Sequence, residues 1–188
     1  MLETELKCII TYDTFKKIEH AYKWDKIITQ TNHYYRSLTP VLKENGITFR
    51  VREIDNKYKL QIKKHTNSNS PLQICEETEE VIDAVPDFFE AKDVLELTGV
   101  DGGDVFLIGS ATTKRYSLMW DGHTEICLDY TTYFDTEDYE VELEYTGEIS
   151  SALLDEMKAL GVEFKEKSKG KYSRFIKRFS ELANNLPH

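Results

Sequence analysis

The stretch that decides the fold is ETELK, residues 3–7, close to the start of the chain. In a helix, Glu3 and Lys7 would form only a weak i,i+4 ion pair. In a strand, Glu3, Glu5 and Lys7 lie on one face, while the even-numbered positions from 2 to 10 form an uncharged opposite face. This alternation predicts a half-buried strand with a charged second face.

Length and charge limit the possible functions. The chain has 188 residues, which is most simply one domain spanning 1–188. A net charge of −10 argues against general nucleic-acid binding, because a polyanion would be repelled over most of the surface. No apolar run approaches the ~18 residues of a membrane span, so no membrane partner is expected.

The cysteines and the N-terminus indicate the compartment. Cys8, Cys75 and Cys127 are odd in number and far apart, without a CxxC pair. They indicate reduced thiols rather than disulfides or a zinc site. The first residues lack the basic start and apolar run of a signal peptide, so a cytoplasmic location is expected.

Alternating patterns also predict most of the remaining structure. Helices are expected from Asp13 or Thr14 to about Trp24, within 83–104, after Ser150, and from near Lys171. Further strands are predicted at 26–38, 47–53, 57–64, 72–82, 106–120, 124–130 and 138–146. With the first strand this makes eight strands in hairpin order, which indicates an α+β fold with a large antiparallel sheet.

The charged face of the first strand has counterparts in four later strands. A solvated outer face is the ordinary explanation for any one of them. Together they fit that explanation less well, because whole faces carry one sign of charge. The sets are Arg50 and Arg52; Lys59, Gln61 and Lys63; Glu76, Thr78 and Glu80; and Glu140, Glu142 and Glu144.

Such faces suit the interior of a closed eight-stranded barrel. Charges inside a barrel require opposite charges, a metal or a charged ligand. Carboxylates are the oxygen ligands that Mg²⁺ or Mn²⁺ prefers, and arginine and lysine bind phosphate oxygens. A polyphosphate with bound metal matches both sets. The chain has no GxxxxGK[ST] loop, so a P-loop enzyme is excluded.

ETELK resembles the ExExK signature of the CYTH family, the triphosphate tunnel metalloenzymes. Further segments resemble that family in the same order along nearly the whole chain. They are FRVRE (49–53), YKLQIK (58–63), TTKR (112–115), CLDY (127–130), YEVELE (139–144) and KSKGKYSR (167–174). The resemblance implies a closed eight-stranded antiparallel β-barrel whose charged tunnel is flanked by helices.

The resemblance also implies roles for individual residues. Glu3, Glu5, Glu140 and Glu142 would bind Mg²⁺ or Mn²⁺, with Glu5 and Asp129 as catalytic carboxylates. The substrate would be bound by Lys7, Arg50, Arg52, Lys63, Arg115 and Lys171, with Glu76 as a further carboxylate of the tunnel wall.

Two positions stay open. Where relatives often have NYYFDT, this chain has NHYYRS (32–37), so Arg36 replaces an aspartate and the role of that aspartate cannot be transferred. Near the C-terminus Lys167, Lys169 or Lys171 could supply the tunnel lysine, with Lys171 favoured. The other basic residues of the last helix are expected on its solvated face.

The function expected from the resemblance is metal-dependent hydrolysis of inorganic triphosphate or a small organic triphosphate. A class IV-type adenylate cyclase would use the same phosphate-binding residues. A non-catalytic polyphosphate or nucleotide sensor is the second alternative, although binding alone would need the cations more than the glutamates. The expected partner is the small-molecule substrate, and a homodimer is left open.

Overall fold

The computed structural model describes residues 2–65, 73–164 and 168–185, without the side chains of residues 2, 3 and 73–75. Within these ranges the chain forms one antiparallel sheet and five helices. The strands are β1 (Leu2–Ile10), β2 (Lys26–Ser37), β3 (Ile47–Ile54), β4 (Lys57–His65), β5 (Gln73–Ile82), β6 (Phe88–Phe89), β7 (Val105–Met119), β8 (Thr124–Tyr133) and β9 (Thr136–Tyr145). The helices are α1 (Tyr12–Ala21), α2 (Val41–Glu44), α3 (Ala91–Thr98), α4 (Ser151–Ala159) and α5 (Lys171–Asn184).

The strand order corrects the expected closed eight-stranded barrel. The sheet has nine strands in the order β2-β3-β4-β5-β1-β9-β8-β7-β6, and β2 also pairs with β7. It is not a simple closed barrel, because β6 pairs only with β7 among the described strands and forms an edge. The β2–β7 pairing curves the eight longer strands around a common interior, so one face of each looks inward.

β6 was missed because it has only two residues. Phe88 and Phe89 pair with Phe106 and Val105 at the start of β7. A two-residue strand has no alternation that a sequence pattern could show. A helix followed by a loop was expected over 83–104. The structure has this arrangement only from α3 onward.

Turn and cap residues explain where several elements begin and end. Asp55 and Asn56 have φ of 51° and 57°, the left-handed pair that a tight β3–β4 hairpin requires. Ser150 accepts a hydrogen bond from the Leu153 amide and begins α4, as expected. Helix α1 is capped by Thr11, not by Asp13 or Thr14.

Apolar side chains form three cores, two on the outer faces of the sheet and one at the end of the interior that α5 covers. One core lies between α1, α4 and the outer faces of β7, β8 and β9, centred on Ile18, Leu128 and Met157. A second surrounds Phe49 and Val94 beneath α3. The third is formed by Tyr34, Ala111, Tyr133 and Phe175, where α5 meets the sheet. No helix in the described ranges has the length and apolarity that crossing a membrane requires.

Candidate active site

The register of β1 against β9 brings the charged faces together. Glu5 lies opposite Glu144, and Lys7 lies opposite Glu142. Cross-strand partners share a face of the sheet. Glu5, Lys7 and Glu142 are all buried although they are charged. The charged face predicted from ETELK is therefore an interior face.

Three carboxylates form a group that could hold a cation. One oxygen each from Glu5, Glu142 and Glu144 lies within 4.8 Å of the others. Three carboxylate oxygens suit a hard divalent ion such as Mg²⁺ or Mn²⁺. Glu5 and Glu142 were expected there, whereas Glu144 was not. The side chain of Glu3 lies outside the described part of the chain.

Glu140, the fourth expected metal ligand, lies elsewhere on β9. It sits opposite Ile9 and Asp129, and is 1% exposed. One oxygen accepts a hydrogen bond from Arg174, while Oε1 has no hydrogen-bond partner among the described residues. Burial raises the pKa of this carboxyl. The structure thus groups Glu144, rather than Glu140, with Glu5 and Glu142.

Lys7 bridges two carboxylates of this group. Its Nζ lies 2.6 Å from Glu5 Oε1 and 3.6 Å from Glu142 Oε1. Burial alone would lower the pKa of Lys7, but Glu142 and Glu5 more than offset this effect and raise it above the ordinary value. Lys7 therefore carries a positive charge between the carboxylates.

Asp129 is fully buried and pairs with two cationic side chains. It accepts hydrogen bonds from Arg115 Nε at 2.8 Å and Nη2 at 2.7 Å, and Lys171 Nζ lies 2.8 Å away. Burial favours the neutral acid, but Arg115 and Lys171 outweigh it and lower the pKa of Asp129. The carboxylate is therefore ionised and positions both cations.

Arg115 and Lys171 also bind the carboxylate group itself. Arg115 donates to Glu142 and, at 3.2 Å, to Glu144. Lys171 donates to Glu142 at 2.8 Å. These cations and Lys7 hold the pKa of Glu142 well below its ordinary value, against the effect of burial. Each carboxylate of the group thus has a cationic partner.

The opposite wall, built by β3 and β4, is mainly basic. Arg50 donates to Gln61 Oε1 at 2.9 Å, and Arg52 donates to Asn32 Oδ1 at 3.1 Å. Burial, then the neighbouring Arg50 and Arg115, lowers the pKa of Arg52 to about 9. The positive charge here is incompletely balanced, so an anion placed beside Arg52 would be stabilised.

Lys63 also faces the interior, where its Nζ lies 2.6 Å from Glu77. This contact corrects the expected position of Glu76 as a carboxylate of the interior wall. Glu76 is exposed and pairs with Lys64 on the outer face of β5, whereas the buried Glu77 pairs with Lys63. The run of glutamates occupies both faces, so the sequence could not fix which one points inward.

Of the three candidate lysines, Lys171 is the one that the described residues place in the interior. Lys171 enters the interior from the first position of α5, whereas Lys169 contributes its carbonyl to Arg174. Lys167 lies outside the described residues. Arg36 is exposed near the end of β2, beyond the irregularity between Tyr34 and Tyr35.

Arg174 is a site residue that the sequence prediction placed on the solvated face of α5. It donates to Asp138 Oδ2 at 2.6 Å and to Glu140. Arg174 follows Lys171 by three residues, which puts both on one side of a helix. That spacing could have predicted the position of Arg174. In the same way, the alternation from Glu140 to Glu144 could have predicted that Glu144 faces the interior.

Comparison with known proteins supports the assignment suggested by these motifs. A profile of the CYTH domain matches residues 1–176. YjbK of Bacillus subtilis (strain 168), to which triphosphatase activity is provisionally attributed, is 32% identical over 149 residues, covering 76% of this chain and 77% of YjbK.

Solved structures agree in fold. A Bacillus halodurans protein provisionally described as an adenylate cyclase is 22% identical, with a TM-score of 0.72 over 92% of this chain and 96% of its own. HpAC1 from Hippeastrum, described as an adenylyl cyclase candidate with a dominant triphosphatase activity, is 21% identical, with a TM-score of 0.75 over 94% and 96%. The interior charges, the profile match and the YjbK relationship together establish that this chain belongs to the CYTH domain family.

Proposed function

We propose that this protein is a divalent-metal-dependent triphosphatase acting on inorganic triphosphate or a small organic triphosphate. The observation that carries the proposal is the division of the interior: Glu5, Glu142 and Glu144 converge on one wall, and Arg50 and Arg52 lie on another. Relationship to YjbK supports the same activity.

The carboxylate group fits Mg²⁺ or Mn²⁺ by number and type of donor. Such an ion would withdraw charge from phosphate oxygens and promote ionisation of a water molecule. Arg50, Arg52 and Lys63 would hold the phosphate chain through charge-assisted hydrogen bonds. The proton of that water would pass to solvent or to a carboxylate of the group.

Lys7, Arg115 and Lys171 would change partners during the reaction cycle. Each now binds a carboxylate of the interior. With a cation held by the carboxylates, these three side chains would have N–H donors for phosphate oxygens, while Asp129 would still hold Arg115 and Lys171 in place. They could then stabilise the negative charge that develops on the transferred phosphoryl group and its leaving group.

The test is release of phosphate from inorganic triphosphate, ATP, thiamine triphosphate and pyrophosphate, with Mg²⁺ and Mn²⁺ in turn. A parallel assay for cyclic AMP distinguishes a cyclase, which would convert ATP without releasing orthophosphate. We expect phosphate release from at least one triphosphate and little from pyrophosphate. Cyclic AMP as the dominant product would replace hydrolysis with cyclisation.

A further inference from the structure

Tyr34 lies in the interior but had no predicted role. It is on β2 opposite Arg50 of β3, so the two side chains share the inward face. Its ring packs against Tyr172 and Phe175 of α5, with centroids 5.2 Å and 4.8 Å apart. The side chain therefore lines the end of the interior that α5 covers.

The hydroxyl of Tyr34 is buried without a hydrogen-bond partner in the described part of the chain, and the residue is 1% exposed. Leaving a buried hydroxyl unpaired is unfavourable, so each such group needs an explanation. The adjacent Tyr35 shows the usual solution, since its hydroxyl donates to Pro86 O at 2.6 Å. Phenylalanine would make the same ring contacts at position 34, so packing does not explain the hydroxyl.

A second donor without a hydrogen bond among the described residues lies on the neighbouring strand, although its nitrogen is 3.7 Å from Glu77 Oε1, within ion-pair distance. Arg50 Nη2 is buried and makes no hydrogen bond within residues 2–65, 73–164 and 168–185, although Arg50 Nε is bound to Gln61. Arg52 follows two residues later on the same face of β3 and adds a further positive charge. One hydroxyl, one guanidinium N–H and excess positive charge match an anion with several acceptor oxygens.

We propose that the Tyr34 hydroxyl and Arg50 Nη2 bind the terminal phosphate of the substrate, which makes Tyr34 a substrate-binding residue. This inference rests on the proposed function. Beyond Tyr34 lies the cluster with Ala111, Tyr133 and Phe175, in which the Tyr133 hydroxyl already donates to Asp138. We therefore expect the phosphate chain to end at Tyr34.

The test is Tyr34→Phe, with Tyr35→Phe as the matched control. Both changes remove one tyrosine hydroxyl from β2, but only that of Tyr34 faces the interior. Affinity for inorganic triphosphate is measured by calorimetry in EDTA, where the metal-dependent reaction does not occur, and kcat/KM is measured with Mg²⁺. We expect Tyr34→Phe to weaken binding and to lower kcat/KM by about tenfold or more, as for loss of a hydrogen bond to a charged group.

The control should lose thermal stability because the bond to Pro86 is removed, while its triphosphate affinity stays within about twofold of wild type. Unchanged affinity and kcat/KM in a folded Tyr34→Phe protein would overturn the inference, even if the wild type is an active triphosphatase. A wild type that neither binds nor hydrolyses any triphosphate would overturn the proposed function itself.

A structure of the wild-type protein with triphosphate gives a second test that does not depend on how the variant folds. We expect Tyr34 Oη within about 3 Å of a terminal phosphate oxygen. A phosphate chain bound without that contact would contradict the inference.

Discussion

At the scale of single residues, the charged side chains of the interior form ion pairs with one another. Burying an unpaired charge is costly, and removing one member of a buried pair leaves the other uncompensated. Lys7 with Glu5, and Arg115 with Asp129, satisfy this requirement. Because these side chains are already paired, a metal ion or a phosphate that binds here would have to replace ion pairs within the protein.

The metal ligands can be tested with Glu140 and Glu144, the two glutamates that flank Glu142 on β9. Glu144→Gln should raise the Mg²⁺ or Mn²⁺ concentration needed for half-maximal activity by about tenfold or more, because it removes a charged ligand from the carboxylate group. Glu140→Gln should leave this requirement largely unchanged. Metal titrations of phosphate release compare the two. The opposite ranking would restore Glu140 to the metal site and remove Glu144.

The basic wall can be tested at Arg52. Replacing Arg52 by Lys keeps a positive charge but removes the planar fork that binds two oxygens at once. Triphosphate hydrolysis should fall by about tenfold in kcat/KM, a loss near 1.4 kcal/mol in transition-state stabilisation. If Arg52 binds distal phosphates, any pyrophosphate hydrolysis should fall less. Equal losses would indicate a general electrostatic role instead.

At the scale of elements, α5 connects the outer surface to the interior. Lys171 contacts Asp129 and Glu142, and Arg174 contacts Asp138 and Glu140. Both cationic side chains come from the start of α5. Phe175, the residue after Arg174, is fully buried. The helix is therefore held by charge and by apolar packing at the same place.

The contribution of Arg174 can be measured by unfolding. Arg174→Gln removes one of the two cationic partners of the buried Glu140, the other being Lys171 Nζ at 3.5 Å, and it also breaks the ion pair with Asp138. It should lower the free energy of unfolding by about 2 kcal/mol. Lys177→Gln, on the same helix but with a 70% exposed side chain, should change it by about 0.5 kcal/mol or less. Urea titrations of both variants test the contrast. Equal stability of the two variants would show that Arg174 does not anchor α5.

The strands show how far sequence patterns reach. ETELK (3–7) has charges only at alternate positions, and so does FRVR (49–52), so the inward faces of β1 and β3 could be predicted. In β5 glutamates occupy consecutive positions 76 and 77, and the inward residue depends on pairing with Lys63, which lies on another strand. Long-range register of this kind is not encoded in the local alternation.

At the scale of the whole molecule, the α+β class and the charged interior followed from the sequence, while the complete sheet did not. Eight long strands were expected, but β6 depends on packing of Phe88 against Phe106 across the chain. The grouping of Glu144 with Glu5 likewise depends on how β1 and β9 are paired. The order of the motifs predicted which residue types form the site more reliably than it predicted which of them lie next to each other.

The central claim is that this interior binds triphosphate together with a metal ion and hydrolyses it. The most direct measurement combines phosphate release from inorganic triphosphate with calorimetric binding, each with Mg²⁺ or Mn²⁺ and with EDTA. Without metal, the carboxylates of Glu5, Glu142 and Glu144 repel the phosphates, at about 1 kcal/mol or more for each close pair at intermediate dielectric. We therefore predict metal-dependent phosphate release, and weaker binding in EDTA. Tighter binding in EDTA, with no phosphate release under either metal, would contradict the account and indicate a cationic polyphosphate sensor.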